Sequence, residues 1–90
     1  MVRRRFRVSG VVQGVGFRFW TQRVGQSLAL RGIVRNVEDG SVEVEVEGAP
    51  DQVDRLRREL ERGPERALVT AVEELPSTDR QLAEPFGIAL

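Results

Sequence analysis

Gly10-Val11-Val12-Gln13-Gly14-Val15-Gly16-Phe17-Arg18 packs three glycines into seven residues and ends in an arginine. Glycine lets main-chain N–H groups turn inward without Cβ clashes. The run stops where a helical pattern begins, and a helix N-terminus adds unpaired donors and the positive end of its dipole. Arg18 adds a planar, permanently charged fork that matches phosphate oxygens. The chemistry these parts describe is anion binding, and phosphate is the anion they suit. Two other phosphate motifs do not apply. Gly14-Val15-Gly16 starts like a dinucleotide fingerprint, but Phe19 stands at its third glycine. A P-loop needs a lysine, and all 14 basic residues of this chain are arginines.

The absences narrow the chemistry further. The chain has no His, Cys, Lys or Tyr, so the usual general bases, thiolate nucleophiles and Schiff-base amines are missing. Without cysteine there is neither a disulfide framework nor a thiolate zinc site. Arg, Asn, Gln, Ser, Thr, carboxylates, main-chain dipoles, a metal or the substrate itself remain. The 14 basic residues balance 14 acidic ones, which argues against a general polyanion binder. No apolar run approaches the roughly 20 residues that span a bilayer, and no apolar segment follows Arg3-Arg4-Arg5 to make a signal peptide. A cytoplasmic location is the expectation, with no membrane partner.

The elements that must position the loop follow from periodicity. With no repeat, linker or low-complexity segment, residues 1–90 read as one domain. Phe6 and Val8 alternate with Arg5, Arg7 and Ser9, predicting a strand at about residues 4–10. Trp20, Val24 and Leu28 form an apolar stripe on a helix from about Phe17 to Leu30, ended by Gly32. Gly25 inside it costs roughly 1 kcal/mol against Ala unless something packs closely there. Ile33 to Val37 reads as a second strand, and Asp39-Gly40 supplies a hairpin turn. Val42, Val44 and Val46 then alternate with Glu43, Glu45 and Glu47, a strand with one dry face and an acidic row read as a solvated face rather than a metal site.

Pro50 opens a second helix with Val53, Leu56 and Leu60 buried and Gly63-Pro64 as its stop. Its i,i+4 pairs, Asp51–Arg55, Asp54–Arg58 and Arg55–Glu59, read as surface ion pairs rather than a nucleic-acid patch. Leu68 to Leu75 reads as a fourth strand, Pro76 to Pro85 as a polar connection, and Phe86, Ile88 and Leu90 as a short last strand. The predicted class is α+β: a ferredoxin-like βαββαβ sandwich with an additional C-terminal strand, its two helices on one face of a mostly antiparallel sheet.

Two segments together resemble the acylphosphatase family, whose members hydrolyse carboxyl–phosphate mixed anhydrides. The first is the Gly-x-Val-Gln-Gly-Val-x-Phe-Arg run from Gly10 to Arg18. The second is Gly32, Ile33, Val34, Arg35, Asn36, Gly40, Val42 and Gly48, with Ile33 standing where the family usually carries an aromatic residue. The resemblance implies that Arg18 and the main-chain amides of Gln13, Gly14, Val15, Gly16, Phe17 and Arg18 hold the phosphoryl oxygens. It implies that Asn36 orients the attacking water. It also implies no protein base, covalent intermediate, metal or cofactor, a phosphate oxygen of the substrate assisting instead.

Asn36 beside apolar Val34 and Val37 is a costly residue unless partnered, while Arg35 reads as a surface residue. The expected protein is a free-standing monomeric acylphosphatase acting on a small acyl phosphate, without nucleic acid. The alternative is a non-catalytic anion-binding or regulatory ferredoxin-like module that keeps the loop and lacks turnover. An acylphosphatase-like domain of a larger carbamoyl-transfer protein is a further reading. An RNA-binding module is weakest, because alternating glutamates stand where stacking aromatics are needed.

Overall fold

The Asp39-Gly40 turn and the valine–glutamate alternation after it build the hairpin at the heart of the sheet. The computed structural model describes residues 1–90. Its elements run β1 (Val2–Val11), α1 (Phe17–Ser27), β2 (Arg31–Asn36), β3 (Val42–Gly48), α2 (Pro50–Arg62), β4 (Leu68–Leu75) and β5 (Gly87–Ile88). The sheet order is β4-β1-β3-β2-β5, antiparallel except where β5 joins β2 in parallel. This is the expected α+β arrangement. Phe6, Val8, Val34, Val42, Val44 and Val46 supply the sheet's dry face, and Val53, Leu56 and Leu60 of α2 close over it, all fully buried. Each such side chain contributes about 1.5–3 kcal/mol over its exposed state.

The first helix differs from its expected form in two ways. Its fully buried line is Phe17, Thr21 and Gly25, while Trp20, Val24 and Leu28 are only partly covered. The reason is close approach: a Cβ on Gly25 would fall 2.4 Å from the Phe86 ring, and one on Gly32 would fall 2.2 Å from it. The two glycines thus form a slot between α1 and β2 for Phe86. Gly32 lies inside β2 and does not end the helix. Ala29, at φ 57°, takes the left-handed turn instead, and the amide of Leu30 reaches back to the Gly25 carbonyl at 3.0 Å.

The acidic row of β3 is not solvated, which corrects the expectation. Glu43 and Glu45 retain 4% and 1% of their exposure. Register explains it, because Arg3, Arg5 and Arg7 of β1 and Arg31 and Arg35 of β2 flank the glutamates on the same face. Arg3 donates to Glu45 at 3.0 Å, and Arg5 and Arg35 to Glu43 at 3.1 and 3.0 Å. Arg35 is therefore half-buried in an ion pair rather than free at the surface. The segment after β4 completes the cover. The amide and hydroxyl of Thr78 both donate to Glu45 at 2.7 Å.

The ion pairs expected on α2 do not form; Arg57–Glu61 and Arg62–Glu59 form in their place. Asp54 turns to Arg4 of β1, whose guanidinium also grips Glu74 through two hydrogen bonds of 3.0 and 2.8 Å. The last strand is shorter than its alternation suggests, with Phe86 buried and Leu90 beyond the pairing and exposed.

Candidate functional site

Five positions from Val12 to Gly16 carry the chain from β1 into α1. Val12, 1% exposed, anchors the loop in the core. Gly14 and Gly16 have φ of 74° and 79°, and a Cβ at either would meet nothing within 4 Å. Conformation rather than space is what calls for glycine at both. Gly16 is the N-cap of α1 and gives no side-chain cap, and the first turn carries no acidic residue. The helix N-terminus therefore keeps its positive end uncompensated. None of the amides from Gln13 to Arg18 donates to a main-chain or side-chain acceptor within the protein.

Gln13 has a different job from its neighbours. Its Nε2 donates to the carbonyls of Val37 and Ser41 at 2.7 and 2.8 Å, which ties the loop to the β2–β3 turn. That turn is itself braced. The Ser41 hydroxyl and amide donate to Asp39 at 2.6 and 2.9 Å, and these two bonds hold the Asp39 carboxyl below its ordinary range. The loop is thus coupled to the end of the strand that carries Asn36.

A cleft of about 260 Å³ opens beside the loop. Gly14, Gly16, Phe17, Arg18 and Asn36 line it, so residues from both sequence motifs meet there. The side chains of Gln13 and Val15 do not line it, Val15 packing against the core instead. Arg18 is half-buried near the start of α1 and makes no ion pair, unlike the arginines of the sheet. Asn36 is the last residue of β2, and its Oδ1 is buried with no hydrogen-bond partner in the protein. A buried carbonyl oxygen without a partner is uncommon and marks a place for water or ligand.

The acylphosphatase family model matches residues 4–88. This chain belongs to the acylphosphatase family. An acylphosphatase of Mannheimia succiniciproducens is 46% identical over 88 residues, spanning 98% of this chain and 94% of its own. One from Burkholderia thailandensis is 51% identical over 76 residues, spanning 82% and 78%. The crystal structure of acylphosphatase from Bacillus subtilis matches with a TM-score of 0.85 at 33% identity, over the whole of both chains.

In this family member, Ile33 falls outside the cleft. It alternates with buried Val34, pairs with Glu45 across the strands, and so sits on the ionic face of the sheet. Sequence reasoning passed over four residues that line the cleft: Val12, Phe19, Ile88 and Leu90. Phe19 carried a signal, being a large aromatic off the apolar stripe of its helix. Ile88 and Leu90 carried none, because only the Phe86 slot and the parallel β2–β5 pairing bring them near the loop.

Proposed function

We propose that this chain is an acylphosphatase that converts an acyl phosphate and water into a carboxylate and inorganic phosphate. The supporting observation is the meeting of unpartnered groups at one cleft: free loop amides, an unpaired Arg18 and the orphan Oδ1 of Asn36. In this reading Arg18 and the amides of Gln13 to Arg18 hold the phosphoryl oxygens. Hydrogen bonds to charged groups contribute roughly 1.5–3 kcal/mol each, so a bidentate arginine with several amides can hold a dianion.

The Asn36 carboxamide takes the hydrogen bond of a water and aims its oxygen at phosphorus. As the new P–O bond forms, the bond from phosphorus to the acyl oxygen breaks, and the electron pair leaves with the carboxylate. The water's proton passes to a phosphoryl oxygen. No acidic side chain lines the cleft, and the chain has no histidine, cysteine or tyrosine. A carboxylate is a good leaving group, so positioning and preorganised dipoles suffice for rate.

The same reading takes residues 1–90 as one domain working as a cytoplasmic monomer, with neither cofactor, metal nor nucleic acid. Purified protein tested on benzoyl phosphate decides the matter. Release of benzoate and phosphate supports the reading. Calorimetric phosphate binding with no turnover replaces it with the anion-binding module.

A further inference from the structure

We propose that Phe19 and Ile88, with Leu90 beside them, form the acyl side of the cleft and direct it toward aromatic or branched apolar acyl phosphates. This rests on the acylphosphatase reading of the same cleft and adds the substrate class to it. The phosphoryl group is common to all acyl phosphates, so any discrimination among them must come from contacts to the acyl group.

The lining divides by chemistry. Arg18 and Asn36 are its only polar side chains, and both have work at the phosphoryl end. Val12 and Phe17 are each 1% exposed, so they back the cleft without offering surface. The open apolar surface belongs to Phe19 at 59%, Ile88 at 38% and fully exposed Leu90. Large apolar side chains exposed together at a concave site mark binding surface.

Two of these residues are held in place. Ile88 pairs with Val34 in the β2–β5 ladder, and the next amide, of Ala89, donates to the Val34 carbonyl at 2.9 Å. Phe86, locked between Gly25 and Gly32, fixes this strand from the other side. Phe19 sits one residue beyond Arg18 on α1, and the Arg23 guanidinium lies 5.9 Å from its ring centre. The shelf is therefore built on a helix and a strand, not on a free loop.

An apolar acyl group laid on it leaves water for carbon surface. A carbamoyl group would give up its hydrogen bonds to water and find no polar side chain to replace them.

The test compares kcat/KM for benzoyl phosphate and acetyl phosphate in the wild type and in Phe19→Ala, Ile88→Ala and the gentler Ile88→Thr. Dividing each variant's benzoyl-to-acetyl ratio by the wild-type ratio cancels the intrinsic reactivity of the two anhydrides. The ratio is expected to fall about three- to tenfold in Phe19→Ala, the scale of one aromatic contact, and less in the Ile88 variants. Leu68→Ser, which removes an exposed apolar residue outside the cleft, leaves the ratio unchanged.

Equal losses on both substrates, or no change in Phe19→Ala, overturn the acyl shelf while leaving the enzyme reading intact. A wild type that turns over neither substrate overturns both. Thermal melting of each variant separates these outcomes from misfolding.

Discussion

On the outer face of the sheet, Arg3, Arg5, Arg31 and Arg35 each meet a glutamate at 2.9–3.0 Å; at the cleft, Arg18 meets none. The two regions use the same cation under opposite conditions. Across the sheet, register sets arginine beside glutamate and the pairs offset each other's charge. Those arginines hold strands together and have little charge left for a ligand. In the cleft, a left-handed glycine replaces the side-chain cap, the first helical turn lacks a carboxylate, and the nearest carboxamide has an oxygen with no partner. Electrostatic capacity is left over there beside a concave surface. An arginine's neighbours, not its identity, decide whether it is structural or functional.

Substitutions on the two sides should therefore separate activity from stability. The largest effect is expected for Arg18→Ala, which should lower kcat/KM by about 10²–10³ and weaken inhibition by inorganic phosphate. Its melting temperature should stay close to wild type, since replacing a side chain that has no partners in the protein moves stability by about 0.5 kcal/mol or less. Glu45→Gln should do the reverse. Losing the charge that Arg3 and Thr78 share should cost about 1.5–3 kcal/mol, a drop of roughly 6–24 °C by thermal melting. Turnover per folded molecule should persist.

Asn36→Ala returns the effect to the cleft and should lower kcat by roughly ten- to hundredfold with KM nearly constant, because it misplaces water rather than phosphate. A fall in KM affinity equal to that of Arg18→Ala would merge the two roles.

Acid gives the smallest and most graded comparison. Burial pushes the Glu43 and Glu45 carboxyls up, but Arg5 and Arg35 around Glu43, and Thr78 and Arg3 around Glu45, hold both below the ordinary 4.5. A carboxyl lowered in the folded state contributes stability above its unfolded value and loses it as pH falls through the folded one. Melting temperature should thus decline below about pH 4.5. The Glu45→Gln variant should show a shallower decline over the same range.

Much of this molecule is legible without coordinates, but unevenly. The β3 alternation and the Asp39-Gly40 turn specify the central hairpin locally, and the loop glycines declare their backbone conformation. What covers the acidic row is not local. The period-two arginines at positions 3, 5 and 7 match it, yet Arg3 and Arg5 neutralise its glutamates only once β1 lies antiparallel beside β3. The buried line of α1 runs through Thr21 and Gly25, which are small rather than apolar, and Gly25 is buried against Phe86, remote in sequence. Helical spacing offered Asp54 to Arg58, but Arg4 across the sheet takes it.

At the site, Arg18 and Asn36 were legible from their motifs. The Gln13 side chain, to which no local pattern gives a role, fastens the loop to the hairpin. The apolar shelf depends on a C-terminal crossing that no local pattern announces.

The most direct test of the central claim is to titrate inorganic phosphate into isotope-labelled protein while following the main-chain amide resonances. Saturable shifts concentrated at residues 13–18 and at the Asn36 carboxamide, abolished in Arg18→Ala, are the predicted result. Shifts scattered over the arginines of the sheet, or a loop that ignores phosphate at millimolar concentration, would contradict it.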